Sequence, residues 1–65
     1  MEPWARALAV LLAHFEQQEV AGKLKVERVT VARWAGGERR PRKPHRRKLE
    51  QWALKAYPEE VATDE

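Results

Sequence analysis

Apolar residues recur at helical spacing along most of this sequence, and no stretch of useful length alternates with the period of two that marks a half-buried β-strand. The first apolar face has the spacing i, i+4, i+7, i+11 and consists of Trp4, Leu8, Leu11 and Phe15. It predicts a helix that begins at Pro3, a residue suited to a first helical turn, and ends at a turn marked by His14 and Glu16. Because no Gly or Pro lies at that turn, a continuous helix through residue 20 is also open. Further apolar residues lie around this helix, so we expect other helices to cover it on several sides, or a second subunit to cover Val10 or Leu12.

Two shorter helices are predicted next, over residues 17–24 and 27–35. Their inward-facing residues, together with the apolar residue that anchors the turn between them, are Val20, Ala21, Leu24, Val26, Val31 and Trp34. The second of these helices ends at Gly36 and Gly37, because glycine takes the left-handed backbone conformation that closes a helix without a steric penalty.

A fourth helix is predicted over residues 45–57, after a loop confined by Pro41 and Pro44. Its apolar stripe has the spacing i, i+3, i+4, i+7 and consists of Leu49, Trp52, Ala53 and Ala56. Pro58 ends the helix. We therefore predict an all-α, four-helix bundle over residues 1–58, followed by an acidic, flexible tail over residues 59–65.

The chain is short for a domain that must be stable by itself. With 65 residues, it can bury only about 60% of its unfolded surface. It has no cysteine, so neither a disulfide nor a thiolate zinc site can add stability. We expect the missing core to come from self-association or from the tryptophans, with Trp34 and Trp52 in the core and Trp4 in the core or a dimer interface.

No membrane association is expected from the sequence. The longest apolar run, ALAVLLA at residues 7–13, is much shorter than the roughly 20 residues that span a bilayer. It also lacks the basic leader and the cleavage site of a signal peptide. We expect a cytoplasmic protein.

Positive charge is concentrated in the second half of the chain. Residues 28–55 carry ten basic and two acidic residues, a net charge of +8, whereas the whole chain has a net charge of +3. Seven of these basic residues lie in the basic segment, residues 39–48, RRPRKPHRRK. A polyanion is the natural partner of such a segment, and its two prolines favour an extended form that can follow a nucleic-acid backbone.

Residues 17–41, QQEVAGKLKVERVTVARWAGGERRP, resemble the helix-turn-helix of the Cro/C1 family of phage-repressor-like DNA-binding proteins. Gln17 matches the Gln that opens the first helix of the motif, and Val20 and Ala21 match its apolar–Ala pair. The other matches are the buried apolar positions Leu24, Val26, Val31 and Trp34, and the pattern W-x-x-G-x-R-x-P at Trp34, Gly37, Arg39 and Pro41. Lys25 departs from the family, whose turn usually has Gly. It must adopt a left-handed backbone at a cost of roughly 1 kcal/mol, or the turn must differ slightly.

The resemblance implies a lambda-repressor-like bundle whose helix over residues 27–35 enters the major groove of double-stranded DNA. The implied base contacts are Glu27, Arg28, Val29, Ala32 and Arg33. The arginines suit guanine and Val29 suits a thymine methyl group, while Glu27 either accepts from a cytosine amine or caps the helix. With the basic segment, the predicted phosphate contacts are Gln17, Thr30, Arg39, Arg40, Arg42, Lys43, Arg46 and Arg47.

The function implied is that of a transcriptional regulator, such as a repressor, associated with the nucleoid. Because one small module makes limited contact with DNA, we expect a homodimer on a palindromic site, paired through the first helix, the fourth helix or both. Two other functions stay open. The same fold could serve as a protein-interaction module for an acidic partner of the transcription machinery, or the Arg-rich segment could bind RNA.

An enzyme is not expected. The sequence contains no Ser or Cys that could act as a nucleophile, no Gly-rich loop for phosphates and no carboxylate pair in a structural setting. His14 and His45 lack a helix-spaced carboxylate or a second histidine, so we expect no metal site. We also expect no cofactor and no small-molecule ligand.

Overall fold

The computed structural model describes residues 2–62, and this part of the chain forms five helices and no strand. The helices are α1 (Pro3–His14), α2 (Gln17–Leu24), α3 (Arg28–Ala35), α4 (Lys43–Ala56) and α5 (Pro58–Ala62). The predicted all-α domain is confirmed. The number of helices differs, since α5 begins at Pro58, the predicted end of the fourth helix, and continues into residues 59–62 of the segment predicted to be a flexible tail. Residues 63–65 of that segment lie outside the described residues. None of these helices is long and apolar enough to cross a bilayer.

The core is built around α1, which packs on α4, α3, α5 and α2. Fully buried side chains come from four helices, and the largest are Leu8, Leu11, Val20, Val31 and Leu49. The central position predicted for α1 is therefore confirmed. No polar or charged residue of the described chain is buried, so hydrophobic burial holds the bundle together.

The tryptophans differ in their burial. Trp4 and Trp34 are 6% and 4% exposed and belong to the core, so Trp4 is covered within one chain and does not need a dimer partner. Trp52 is only half-buried and packs against the outside of the core. The prediction that Trp52 is a core residue is thus only partly met.

The turn between α1 and α2 contains two extended residues. Phe15 has φ −129° and ψ 154°, and Glu16 has φ −80° and ψ 159°. The Glu16 N–H donates to Glu19 Oε1 at 2.9 Å, so a carboxylate from the first turn of α2 satisfies the N–H of the residue that precedes the helix. The turn lies where the sequence predicts it, without a left-handed residue.

The turn between α2 and α3 depends on Lys25, whose backbone is left-handed with φ 60° and ψ 45°. The Val26 N–H donates to the Ala21 carbonyl at 3.0 Å and the Lys25 N–H to the Gly22 carbonyl at 3.3 Å. This is the Schellman pattern of helix termination, which normally uses glycine at the left-handed position. The sequence left open either a left-handed Lys25 or a slightly different turn, and the structure has the left-handed Lys25.

The end of α3 and the start of α4 lie close to the positions predicted from the glycines and prolines, with shifts of one or two residues at the helix starts. Gly37 has φ 80°, and the Glu38 N–H donates to the Arg33 carbonyl at 3.0 Å, so a second Schellman pattern ends α3. Helix α3 begins at Arg28, one residue later than predicted, and α4 begins at Lys43, two residues earlier. Pro44 therefore lies within the first turn of α4, where its missing N–H costs no hydrogen bond.

Helix α5 is held against the end of α1 by contacts between residues far apart in sequence. The rings of His14 and Tyr57 stack with centroids 3.9 Å apart and an interplanar angle of 4°. His14 Nε2 lies 2.8 Å from Glu60 Oε2, and Val61 packs against the core. These contacts order residues 58–62, which local sequence alone marks as an acidic tail.

Candidate nucleic-acid interface

Helix α3 has one buried face and one exposed face. Val31 and Trp34 are 0% and 4% exposed, as the sequence predicts. Arg28, Val29 and Arg33 are exposed on the other side, and Val29 retains 43% of its accessible surface although it is apolar. Val29 thus adds a small apolar surface to a face that otherwise carries positive charge.

The other residues predicted to contact DNA from this helix are less exposed or lie at its start. Ala32 is half-buried, so it offers less surface than the sequence predicts for an outward face, and Thr30, predicted as a phosphate contact, is half-buried as well. Glu27 is the residue that precedes the first turn of α3 and is exposed, but its side chain makes no capping hydrogen bond. Its carboxylate is therefore left to act as an acceptor at the start of the helix.

Gln17 and Arg28 bring the first turns of α2 and α3 together. Arg28 Nη1 lies 3.5 Å from Gln17 Oε1, which is at the limit of a hydrogen bond. Both groups are polar and the contact is exposed, so Arg28 keeps its charge available to a partner. The Glu19 carboxylate, bonded to the Glu16 N–H, places negative charge at the same end of α2 and makes it a less favourable position for a phosphate.

The basic segment is part extended chain and part helix. Residues 39–42 have no regular structure, whereas residues 43–48 form the first turns of α4. The prolines do not keep the whole segment extended, because Pro44 is compatible with a first helical turn and Pro41 is buried against the domain. The fully exposed cations of this segment are Arg39, Arg40, Arg42, Lys43, Arg47 and Lys48, while Arg46 is half-buried.

A ring contact joins the end of α3 to the first turn of α4. The rings of Trp34 and His45 have centroids 5.5 Å apart at an angle of 44°. Because Trp34 belongs to the buried face of α3, this contact places the start of α4 near the end of α3 and leaves the exposed arginines on the other side of that helix.

Arg40 differs from its neighbours because it already has a carboxylate partner. Its Nη2 atom donates to Glu2 Oε2, and the Trp4 indole N–H donates to Glu2 Oε1 at 2.9 Å. The hydrogen bond from Arg40, aided by that from Trp4 and by the charge of Arg46, holds the pKa of the Glu2 carboxyl below its ordinary value. Sequence reasoning missed this pair, since Glu2 and Arg40 are 38 residues apart and no local pattern joins them.

The fold and this surface define a compact all-α domain with exposed cations on α3 and on the basic segment. Among residues 2–62, no group of three or more His, Asp or Glu side chains is arranged to hold a metal ion. No family model, no curated protein and no solved structure matches the chain. Its function therefore has to be inferred from its own residues.

Proposed function

We propose that this chain is a sequence-specific, double-stranded-DNA-binding transcriptional regulator with a helix-turn-helix of the Cro/C1 type. The observation that carries the proposal is the two-sidedness of α3, which buries Val31 and Trp34 while leaving Arg28, Val29 and Arg33 in solvent. A recognition helix needs this arrangement, because one face must anchor it while the other reads base edges.

In this proposal, α2 and α3 are the two helices of the motif within a lambda-repressor-like bundle. They pack against each other and are joined by three residues, 25–27. The left-handed Lys25 takes the place of the usual turn glycine. Ala21 is 1% exposed at the crossing, where a small side chain allows close approach of the helices.

Base reading is assigned to the exposed face of α3. Each arginine can donate two hydrogen bonds to O6 and N7 of guanine, and such a bidentate pair discriminates against the wrong base by about 1–3 kcal/mol. Val29 contacts a thymine methyl group, and the uncapped Glu27 carboxylate accepts from a cytosine amine. Ala32, at the margin of the face, contributes apolar contact only.

Phosphate binding is assigned to the basic segment. Arg39, Arg42, Lys43 and Arg47 are exposed beside the end of α3, where their cations can bind the backbone that flanks the groove. Arg46 is half-buried and offers less of its charge to a phosphate, and Gln17 and Thr30 contribute hydrogen bonds from α2 and α3. Arg40 contributes less, because Glu2 already neutralises its charge.

We further propose that two copies bind an inverted repeat, since one domain of this size makes limited contact with DNA. The outer side of α4 supplies apolar surface for pairing, because Leu54 is 55% exposed. Repression is the simplest mode of regulation for such a dimer, because a small protein bound at a promoter excludes other proteins from it.

Selection of binding sites from a random duplex library, followed by binding measurements with two variants, tests the proposal. We expect an enriched inverted repeat. Arg33→Ala should lose affinity mainly for the selected sequence and relax the preference at one base pair. The matched control Arg39→Ala removes the same charge from a phosphate contact and should weaken selected and unrelated duplexes alike.

Three outcomes would contradict the proposal. If the library shows no enriched sequence, the chain does not recognise a specific sequence. If the two variants lower the affinity for all duplexes equally, α3 is not the helix that reads the bases. Tighter binding of single-stranded or structured RNA than of any duplex DNA, insensitive to Arg33→Ala, would favour RNA as the ligand.

A further inference from the structure

A second cationic surface lies between the end of α2 and the middle of α4. This lysine cleft is lined by Lys23, Leu24, Lys48, Gln51, Trp52 and Lys55. It contains three of the five lysines of the chain, none of its eight arginines and no acidic residue. The exposed face of α3 and the basic segment, in contrast, carry mainly arginine.

The lysine cleft contains none of the residues assigned to DNA contacts, although Lys48 is also the last residue of the basic segment. Lys23 lies near the end of α2 opposite to Gln17, and six residues of helix correspond to about 9 Å. On α4 the lining residues recur at i, i+3, i+4 and i+7, which places Lys48 and Lys55 on one face. Arg47, the residue before Lys48, lies about 100° away from it around the helix, because an α-helix has 3.6 residues per turn.

The three ammonium groups have no carboxylate to neutralise them within the described chain. The ion pairs of residues 2–62 that involve Glu2 and Glu60 are made with Arg40 and His14. Lys23 Nζ lies instead over the Trp52 ring, 5.8 Å from its centroid, a cation–π contact that stabilises an exposed ammonium only weakly. The cleft thus presents uncompensated positive charge.

The floor of the cleft is apolar. Leu24 is 3% exposed, and Trp52 is half-buried. The ring of Phe15 packs against Trp52 with centroids 5.3 Å apart at 43°, and Lys23 approaches the ring as well. With these neighbours on the indole, the accessible part of Trp52 is suited to contact an aliphatic side chain more than to stack on a base.

We propose that the lysine cleft binds an acidic peptide segment of a partner protein, with carboxylates facing Lys23, Lys48 and Lys55 and an apolar side chain resting on the accessible part of Trp52. Charge complementarity fixes the sign of the occupant. The accessible indole favours a peptide over a duplex, because a sugar-phosphate backbone offers phosphates but no apolar side chain to cover it. A regulator bound to DNA through α3 would then keep this side open to a protein.

The probe is a synthetic peptide in which glutamates flank two leucines, titrated into the full chain while its amide resonances are followed by NMR. We expect saturable shifts at the residues of the lysine cleft, with smaller changes at the exposed face of α3. The control peptide has the leucines replaced by serines and keeps the same charge. It should bind more weakly, because it cannot cover the apolar floor.

A double variant, Lys23→Gln with Lys55→Gln, should weaken binding of the leucine peptide about fivefold, as expected for two exposed ion pairs. Both side chains are exposed, so the variant should keep the circular dichroism spectrum of the native chain. Arg42→Gln with Arg47→Gln removes equal charge from the basic segment and should leave peptide affinity unchanged.

Several results would overturn the proposal. The proposal would be contradicted if the leucine peptide caused no shifts, or if the chain had equal affinities for the leucine and serine peptides. It would also be contradicted if the two double variants weakened binding of the leucine peptide equally. A duplex DNA that shifts the amides of the lysine cleft more than those of α3 would assign the cleft to nucleic acid.

Discussion

The backbone of Lys25 allows a sharp test of how this fold is stabilised. Its φ of 60° and ψ of 45° lie in the left-handed region, which costs a residue with a Cβ atom about 1–2 kcal/mol. Lys25→Gly removes this cost. The added freedom of glycine in the unfolded chain opposes the gain by about 0.5–1 kcal/mol. We therefore expect a net increase of about 0.5–1 kcal/mol in the free energy of unfolding.

Thermal and urea denaturation measure this change. For a domain of this size, 1 kcal/mol corresponds to a shift of about 4–8 °C in Tm, so an increase of about 2–8 °C is expected. The side chain of Lys25 is exposed and makes no ion pair with a described carboxylate, so little is lost with it.

The matched control is Lys48→Gly. Lys48 is also an exposed lysine, but it lies inside α4, where glycine destabilises a helix by about 1 kcal/mol. The same substitution should thus raise Tm at one position and lower it at the other. An unchanged or lower Tm for Lys25→Gly would refute the reasoning, because the turn would then not store the strain that its φ indicates.

Three further predictions concern charge and packing. The salt dependence of duplex binding should have a slope of about −4 to −5 per subunit in log affinity against log salt if about five cations of each subunit contact phosphates. Arg42→Gln with Arg47→Gln should reduce the magnitude of this slope by about 1.8 per subunit in anisotropy titrations, and an unchanged slope would show that these cations do not contact phosphates. Trp34→Ala should lower the free energy of unfolding by about 3–5 kcal/mol, which is comparable to the whole stability of a small domain. A cooperative unfolding transition at nearly the same urea concentration as that of the native chain would contradict the core role of Trp34. The pKa of the Glu2 carboxyl is held below its ordinary value of 4.5, so the pairing of Glu2 stabilises the fold at neutral pH, and this stabilisation is lost as the pH falls below 4.5. Glu2→Gln should therefore flatten the acidic part of the curve of unfolding free energy against pH. An unaltered curve would show that the pairing of Glu2 does not stabilise the fold.

Much of the candidate interface follows from local sequence. The bounds of α1 and α2, the glycine end of α3 and the burial of Val31 and Trp34 were predicted from apolar spacing, because helical period directly relates sequence position to face. The exposure of Arg28, Val29 and Arg33 follows from the same period. The left-handed turn at Lys25 was one of two geometries that a motif without its glycine could adopt.

Contacts between distant residues had no such local signal. The Glu2–Arg40 pair changes the role of one predicted phosphate contact, and the stacking of His14 on Tyr57 orders α5 in a segment whose composition indicates a tail. The lysine cleft likewise joins Lys23 of α2 to Lys48 and Lys55 of α4, although the sequence shows only scattered lysines. Sequence period determined which side of each helix is apolar. Only the packing of the helices decided which charged side chains face one another, because that depends on the angles and distances between helices and not on the order of residues within one.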